Sequence, residues 1–319
     1  MRGVPSCAAV VVGSLCTLLS GAPLEGQTRE QGPWWPSALW GPDDQAGGSN
    51  WMTPEKTLEA ITVVETGQLY ELGYPYQRDM PLLGDRTYAS FLVPGRGARP
   101  GALVFNDDYV AAEISQAGTQ FDALGHVGRQ VRMEDGSIAD VFYNGVTLDE
   151  MRSQYGLLQL GVEHMRPYLT RGVLIDLAAH LGPLPNGYDA TVTDLEGALA
   201  SQGMESGDIR PGDAIILNLG WSNLWEDPER VATDWGNRPG VTREALEWLV
   251  TRQPSIVGWD TAADGTGHAV LTTYNGIPSL EFMNLAELSA DRVFEFLFIF
   301  TPLRLVGATG SPGRPLAVR

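Results

Sequence analysis

Two cysteines, Cys7 and Cys16, are all that the 319 residues contain, and both lie in the first sixteen. The rest of the chain therefore has no disulfide, no thiolate metal site and no cysteine nucleophile. Histidine is almost as scarce: His126, His164, His180 and His268 are the whole supply for any acid–base or metal chemistry. Positive charge is also short, 21 Lys and Arg against 39 Asp and Glu, for a net charge of −18. That balance argues against nucleic acid and anionic membrane as partners and suits solubility or a cationic or neutral small molecule. Several catalytic signatures are missing: there is no G-x-S-x-G elbow, no phosphate-binding loop and no H-E-x-x-H. The G-x-G of Gly265-Thr-Gly267 stands alone.

Long apolar runs are short too. Ala8–Leu19 is twelve residues of apolar character behind Arg2, with the small residues Ser20-Gly21-Ala22 after it. It is too short to span a bilayer and lacks a polar face, so it reads as an export signal. Residues 1–26 are expected to be removed and 27–319 to form a single domain, secreted or periplasmic and without a membrane anchor. A 43% hydrophobic content at this length supports a large core without disulfides.

Strand and helix patterns interleave along that domain, which predicts a mixed α/β fold. Thr53-Pro54-Glu55 has the order of a cap, a first-turn proline and a first-turn acid, and predicts a helix over Pro54–Glu65. Residues 84–101, rich in Gly, Pro and Arg, read as a loop, and Ala102–Phe105 and Tyr109–Ile114 as two strands, the second in the core. Arg171–Leu177, Gly212–Leu219 and Ser255–Trp259 are continuous apolar runs of the kind buried on both faces of a sheet. Thr242–Arg252 is amphipathic and helical, and Trp221–Asn237 an aromatic, acidic loop with a short helix.

The chemistry gathers in Ser115–Val127, S-Q-A-G-T-Q-F-D-A-L-G-H-V. Gln116, Gln120, Asp122 and His126 fall within eleven positions punctuated by Gly118 and Gly125. Polar groups between apolar runs must be paired, metal-bound or functional. The stretch resembles the signature H-x-G-T-H-x-D-x-x-x-H of the cyclase family of metal-dependent hydrolases, which includes kynurenine formamidases and isatin hydrolases. Gly118, Thr119, Asp122 and His126 match; Gln116 and Gln120 stand where the pattern has histidine, as in a glutamine-substituted branch. The resemblance extends from Trp40, through W-G-P-D-D-Q and Asn50–Lys56, to Leu303–Pro315.

That resemblance implies a swivelling β/β/α domain with a barrel-like core, assembled as a homodimer or homotetramer. It implies ligand positions at Gln116, Gln120 and Asp122, completed by His268 and Glu281, for a divalent metal, and an acid–base role for His126. Carboxylate and amide oxygens make a harder site than one rich in histidine, suited to Mn²⁺ with Zn²⁺ as the other choice. Phe121 and Trp221 are expected to line the substrate pocket. The implied reaction is water attack on a small amide, formamide, cyclic amide or lactone. The alternatives are a non-catalytic small-molecule-binding protein on the same scaffold, and hydrolysis without metal by an Asp122–His126 pair.

Overall fold

The computed structural model describes residues 34–96, 99–182 and 184–319, so the expected export signal lies outside the described residues. The strands that position the site are β1 (Leu69–Glu71), β2 (Tyr88–Arg96), β3 (Val104–Ala112), β4 (Gln120–Asp122), β5 (Tyr168–Asp176), β6 (Ala214–Asn218), β7 (Ile256–Trp259), β8 (Ser279–Glu281), β9 (Glu295–Phe300), β10 (Gly310–Pro312) and β11 (Leu316–Val318). All but β2 and β3 join one nine-stranded sheet in the order β1-β11-β9-β5-β6-β7-β8-β4-β10, curled into a half-barrel. The four central strands β5 to β8 run parallel. The wings are antiparallel. The mixed α/β class is as the sequence implies.

The parallel strands are the continuous apolar runs, because each buries both faces. Val173, Ile175, Ile215, Leu217, Val257 and Trp259 face the helices Val192–Ser201 and Arg243–Thr251, meeting Leu195, Leu199, Leu246 and Leu249. The alternate residues Leu174, Ile216 and Ile256 face the other way, onto a core with Phe121, Leu280, Phe296 and Phe298. Each such side chain contributes on the order of 1.5–3 kcal/mol by leaving water. A one-residue slip of any central strand would exchange its two faces, so the register is strongly held. At Gly258 an added Cβ would come within 2.5 Å of Met283 Sδ and 2.6 Å of an Ile216 methyl, so the β7 backbone can sit this close only without a side chain. One fully buried carboxylate, Asp213, binds Lys56 at 2.7 Å and Arg171 at 2.8 Å and so ties the first helix to the sheet.

That helix spans Pro54–Ile61, with Thr53 accepting from the Lys56 N–H. It stops earlier than the expected Glu65, where the β-branched run Thr62-Val63-Val64 begins. The larger correction concerns residues 84–114. The expected loop contains β2, and the two expected strands are a single strand, β3, carrying Asp107 and Asp108 in its middle. Among the described residues β2 and β3 pair only with each other, and β3 is exposed along nearly its whole length, so no part of it is a core strand. Two aspartates survive mid-strand because both faces of the hairpin meet water. No helix among the described residues is long and apolar enough to cross a membrane.

Candidate metal and acid–base site

The site is built by the register of two short strands. β4 pairs with β8 so that Gln120 lies opposite Glu281, Phe121 opposite Leu280 and Asp122 opposite Ser279. Period-two alternation then sends Gln120, Asp122 and Glu281 to one side. Gln120 Nε2 donates to Glu281 Oε2 at 3.3 Å. Thr119 fixes the start of β4: its Oγ1 donates to the Phe282 carbonyl at 2.7 Å and accepts from the Tyr74 N–H at 2.9 Å. Gly118 supplies the left-handed bend before it, with φ of 65°. Gly125 lies so close to Leu157 and the Leu160 carbonyl that a Cβ would clash at 2.4 and 2.9 Å, which lets the chain turn and bring His126 back.

Around the fully buried Asp122 the predicted residues converge. Gln116 Nε2 donates to Asp122 Oδ1 at 2.7 Å and lies 3.4 Å from His126 Nδ1. His126 Nε2 is 3.9 Å and His268 Nε2 3.2 Å from Asp122 Oδ2, and His268 Nε2 is also 3.3 Å from Glu281 Oε1. His268 ends a short helix, Gly265–His268, capped by Asp264. Its Nδ1 bonds the Asp264 carbonyl at 2.9 Å, which leaves Nε2 facing the carboxylates. Glu281 Oε1 also accepts from the Ala263 N–H at 3.0 Å. The ligand atoms of Asp122, His126 and His268 lie within 4.8 Å of one another.

The electrostatics follow from two buried acids facing two imidazoles. Burial, then the Asp122 charge, pushes Glu281 up to about 8. Burial works against ionising Asp122 as well, but His126, His268 and Gln116 outweigh it and hold the carboxyl below its ordinary value. Burial also works against charging His268, yet Asp122 and Glu281 raise it to about 9. His126 is lowered, by burial first and then by the positive charges of His268 and Arg86 against the pull of Asp122. It is therefore a neutral imidazole near pH 7.

Six expected site residues, Gln116, Gln120, Asp122, His126, His268 and Glu281, are thus brought together. The two glutamines do not present carbonyl oxygens to the centre: their amide nitrogens donate to Asp122 and Glu281. Phe121, expected in the pocket, is turned to the opposite face by the strand alternation and is fully buried against Tyr168 and Phe300. Trp221 lies in a cluster with Tyr74, Trp225 and Phe282, whose members Ala117 and Phe282 follow the site residues Gln116 and Glu281 in sequence. Asp260, just beyond β7, holds that wall by accepting the N–H groups of Leu219, Trp221 and Ser222. His164 and His180 belong to neither group. Sequence reasoning missed Arg86, whose Nη2 lies 3.4 Å from Gln116 Oε1, because it sits in a stretch with no periodic signal.

A family profile described as "Putative cyclase" matches residues 70–264. The crystal structure of a novel cyclase is 30% identical, with 88% of this chain and 96% of that chain covered and a TM-score of 0.77. Isatin hydrolase A from Labrenzia aggregata, bound to benzyl benzoate, is 21% identical over 78% of this chain and 93% of that one, with a TM-score of 0.52. Isatin hydrolase A from Ralstonia solanacearum is 19% identical over 83% and 97%, with a TM-score of 0.54. At those identities the likeness to the two hydrolases is one of fold. No curated protein sequence matches the chain significantly.

Proposed function

This chain belongs to the cyclase family, and we propose that it is a divalent-metal-dependent hydrolase that opens a small amide, formamide, cyclic amide or lactone at its carbonyl. The observation that carries this reading is the convergence of Asp122, His126 and His268 within 4.8 Å beside the buried Glu281. Two carboxylates buried this deeply call for a cation. Two imidazoles and a carboxylate are a donor set that Zn²⁺ and Mn²⁺ both accept, richer in nitrogen than the sequence implies. The His268 Nδ1 bond to a backbone carbonyl is the outer support that orients an imidazole ligand. Asp122 and His268, with Glu281 and His126 beside them, would hold the ion, which when bound supplies a Lewis acid for the substrate carbonyl.

The protein's own groups handle the proton. His126 is neutral near pH 7, and both of its ring nitrogens face the cluster, one toward Gln116 and one toward Asp122. It takes a proton from water as that water adds to the carbonyl carbon. It returns the proton to the leaving nitrogen or oxygen as the C–N or C–O bond breaks. Asp122 stabilises the imidazolium in between, and Gln116 holds Asp122 in place through its 2.7 Å hydrogen bond.

His126 is also one of the three clustered ligand atoms, so a ligand role is the second reading of that residue. His126→Ala separates them. As the base, its loss should cut kcat by about 10²–10⁴-fold with metal content intact. As a ligand, the variant should lose metal together with activity. Elemental analysis beside turnover on aryl formamide and lactone probes reads both. The glutamine amides, which satisfy the carboxylates without a cation, favour the rival binding protein. Wild-type protein that takes up no metal and turns over no probe would move the assignment there, and turnover that survives chelation would leave the metal-free Asp122–His126 pair.

A further inference from the structure

We propose that Thr273 is a positioning residue: its hydroxyl, acting through the Val127 carbonyl, holds the His126 imidazole in its place beside His268. The inference rests on the hydrolase reading and adds a residue to that site. Thr273 is fully buried, and its Oγ1 donates to the Val127 carbonyl at 3.0 Å. Val127 follows His126, and Thr273 comes five residues after His268. One side-chain hydrogen bond thus ties the two segments that carry the imidazoles, whose ring centroids lie 5.7 Å apart. The local helix geometry makes that bond possible. His268 ends the α-helical turn Gly265–His268, and Ala269–Thr273 continues it as a π-helix, with the Tyr274 N–H on the Ala269 carbonyl. In an α-helix, a residue five positions on lies about 140° round the axis from the first. An i→i+5 turn is one residue wider, and such turns recur at functional sites. Here it brings Thr273 to the side on which His268 meets Asp122, so one helix reaches both ends of the 122–127 segment.

His126 depends on such a brace because its ring makes no short hydrogen bond. Nδ1 is 3.4 Å from Gln116 Nε2, and Nε2 is 3.9 Å from Asp122 Oδ2. Contacts of that length hold an imidazole weakly, so its place is set by the backbone beneath it. On the upstream side the His126 N–H bonds the Ala123 carbonyl at 3.0 Å. On the downstream side the hold is Thr273. The turn that presents Thr273 is braced in its own right: Asn275 Nδ2 donates to the Val270 carbonyl at 2.7 Å, and Thr272 Oγ1 to the Ile277 carbonyl at 3.1 Å. At Gly128 an added Cβ would come within 2.8 Å of the Val141 carbonyl, so the chain beyond Val127 is pinned by close packing. Loss of the Thr273 hydroxyl should therefore loosen His126 without freeing the strand that follows. A displacement of a reacting group by as little as about 1 Å is enough to slow a reaction severely.

The test compares wild type with Thr273→Val, which keeps the shape and removes the hydroxyl, and Thr273→Ser, which keeps the hydroxyl. Circular dichroism checks that each folds, and Thr273→Ala is read in the same way should Thr273→Val fail to. Two readouts are taken. The first is the NMR spectrum of EDTA-stripped protein carrying isotope-labelled histidine, in which four imidazoles give four sets of signals. Thr273→Val should move or broaden those of His126 and leave those of His164 and His180 in place. The second is turnover of the aryl formamide and lactone probes by metal-loaded protein. Thr273→Val should lower kcat by about tenfold or more with KM within about twofold. Thr273→Ser should return both readouts to wild type. Unmoved His126 signals or an unchanged kcat would overturn the proposal, since Thr273 would then only satisfy a buried carbonyl. Signals of all four histidines moving together would overturn it too, as a sign of damage to the fold at large. Should wild type turn over no probe, the hydrolase reading fails separately, and the imidazole signals of the stripped protein decide the positioning by themselves.

Discussion

The buried carboxylates of Asp122 and Glu281 face His268 Nε2 at 3.2 and 3.3 Å, and that crowding sets how the site responds to protons. Asp122 and Glu281 raise His268 to about 9 against its burial, and burial with the Asp122 charge raises Glu281 to about 8. In the unfolded chain the same groups titrate near ~6.5 and ~4.3. Both are raised in the fold. The contribution of His268 is therefore complete below about pH 6.5 and lost as pH rises through 9; that of Glu281 is complete below about 4.3 and lost as pH rises through 8. The EDTA-stripped protein should accordingly melt progressively lower between about pH 6.5 and 9, and Mn²⁺ or Zn²⁺, which displaces those protons, should flatten or reverse the slope. Calorimetry of stripped and reloaded protein across that range checks it; a stripped protein whose melting point holds or climbs would refute the pairing. At this scale much was legible. Asp122 and His126 sit in one local motif, whereas His268 and Glu281 lie over 140 residues on and were reachable only through the family pattern. Phe121 was placed wrongly because alternation along β4 assigns adjacent residues to opposite faces, and nothing in the motif says which face is the core. Arg86 had no signal, since its partner Gln116 is thirty residues away across a hairpin that did not read as one.

Among the elements, the runs buried on both faces were found to within three residues at each end, because continuous apolar character and short length admit few other structures. The hairpin was missed for the opposite reason: a strand solvated on both faces shows neither alternation nor a continuous run. The aromatic segment after β6 is intermediate. Its composition marked it as a loop, but what holds it is Asp260, brought over from the end of the neighbouring strand. The two Asp260 oxygens accept the N–H groups of Leu219, Trp221 and Ser222 at 2.9, 2.5 and 3.1 Å. Burial pushes this carboxyl up to about 6 even so, and it is ionised at pH 8. Asp260→Asn would turn an NH₂ toward a backbone N–H, leaving a buried donor unsatisfied at a cost of about 1–3 kcal/mol. The variant should melt several degrees lower at pH 8 and show a raised KM as the Trp221 wall loosens, with metal content unchanged. Unaltered melting would mean that Asp260 does not hold the wall, and lost metal would tie it to the cluster instead.

For the molecule as a whole, the charge is what the fold distributes unevenly. The chain carries −18. Between Asp85 and Glu113, however, four acids (Asp85, Asp107, Asp108, Glu113) meet three arginines (Arg86, Arg96, Arg99), so the arm is close to neutral. Its register places Ala89, Phe91, Val93 and Gly95 on one face with Ala111, Tyr109, Asp107 and Phe105, and Phe91 and Tyr109 lie 6.5 Å apart. Phe91 is 49%, Phe105 53% and Tyr109 59% exposed. A lone two-stranded ribbon with three exposed aromatic rings on one face is marginal in water and gains from being covered. We propose that a second copy of the chain does so, face to face about a two-fold axis, because the same patch then serves both subunits and the arm is where like-charged copies repel least. A stable pair needs roughly 800 Å² buried on each partner. The arm would supply the centre of that area. Sedimentation equilibrium at micromolar concentration should give twice the mass of one chain for wild type. The double variant Phe91→Arg/Phe105→Arg should give a single mass with unchanged circular dichroism, because neither side chain supports the core. Wild type that sediments as a single chain would discard the idea, as would a double variant that still pairs.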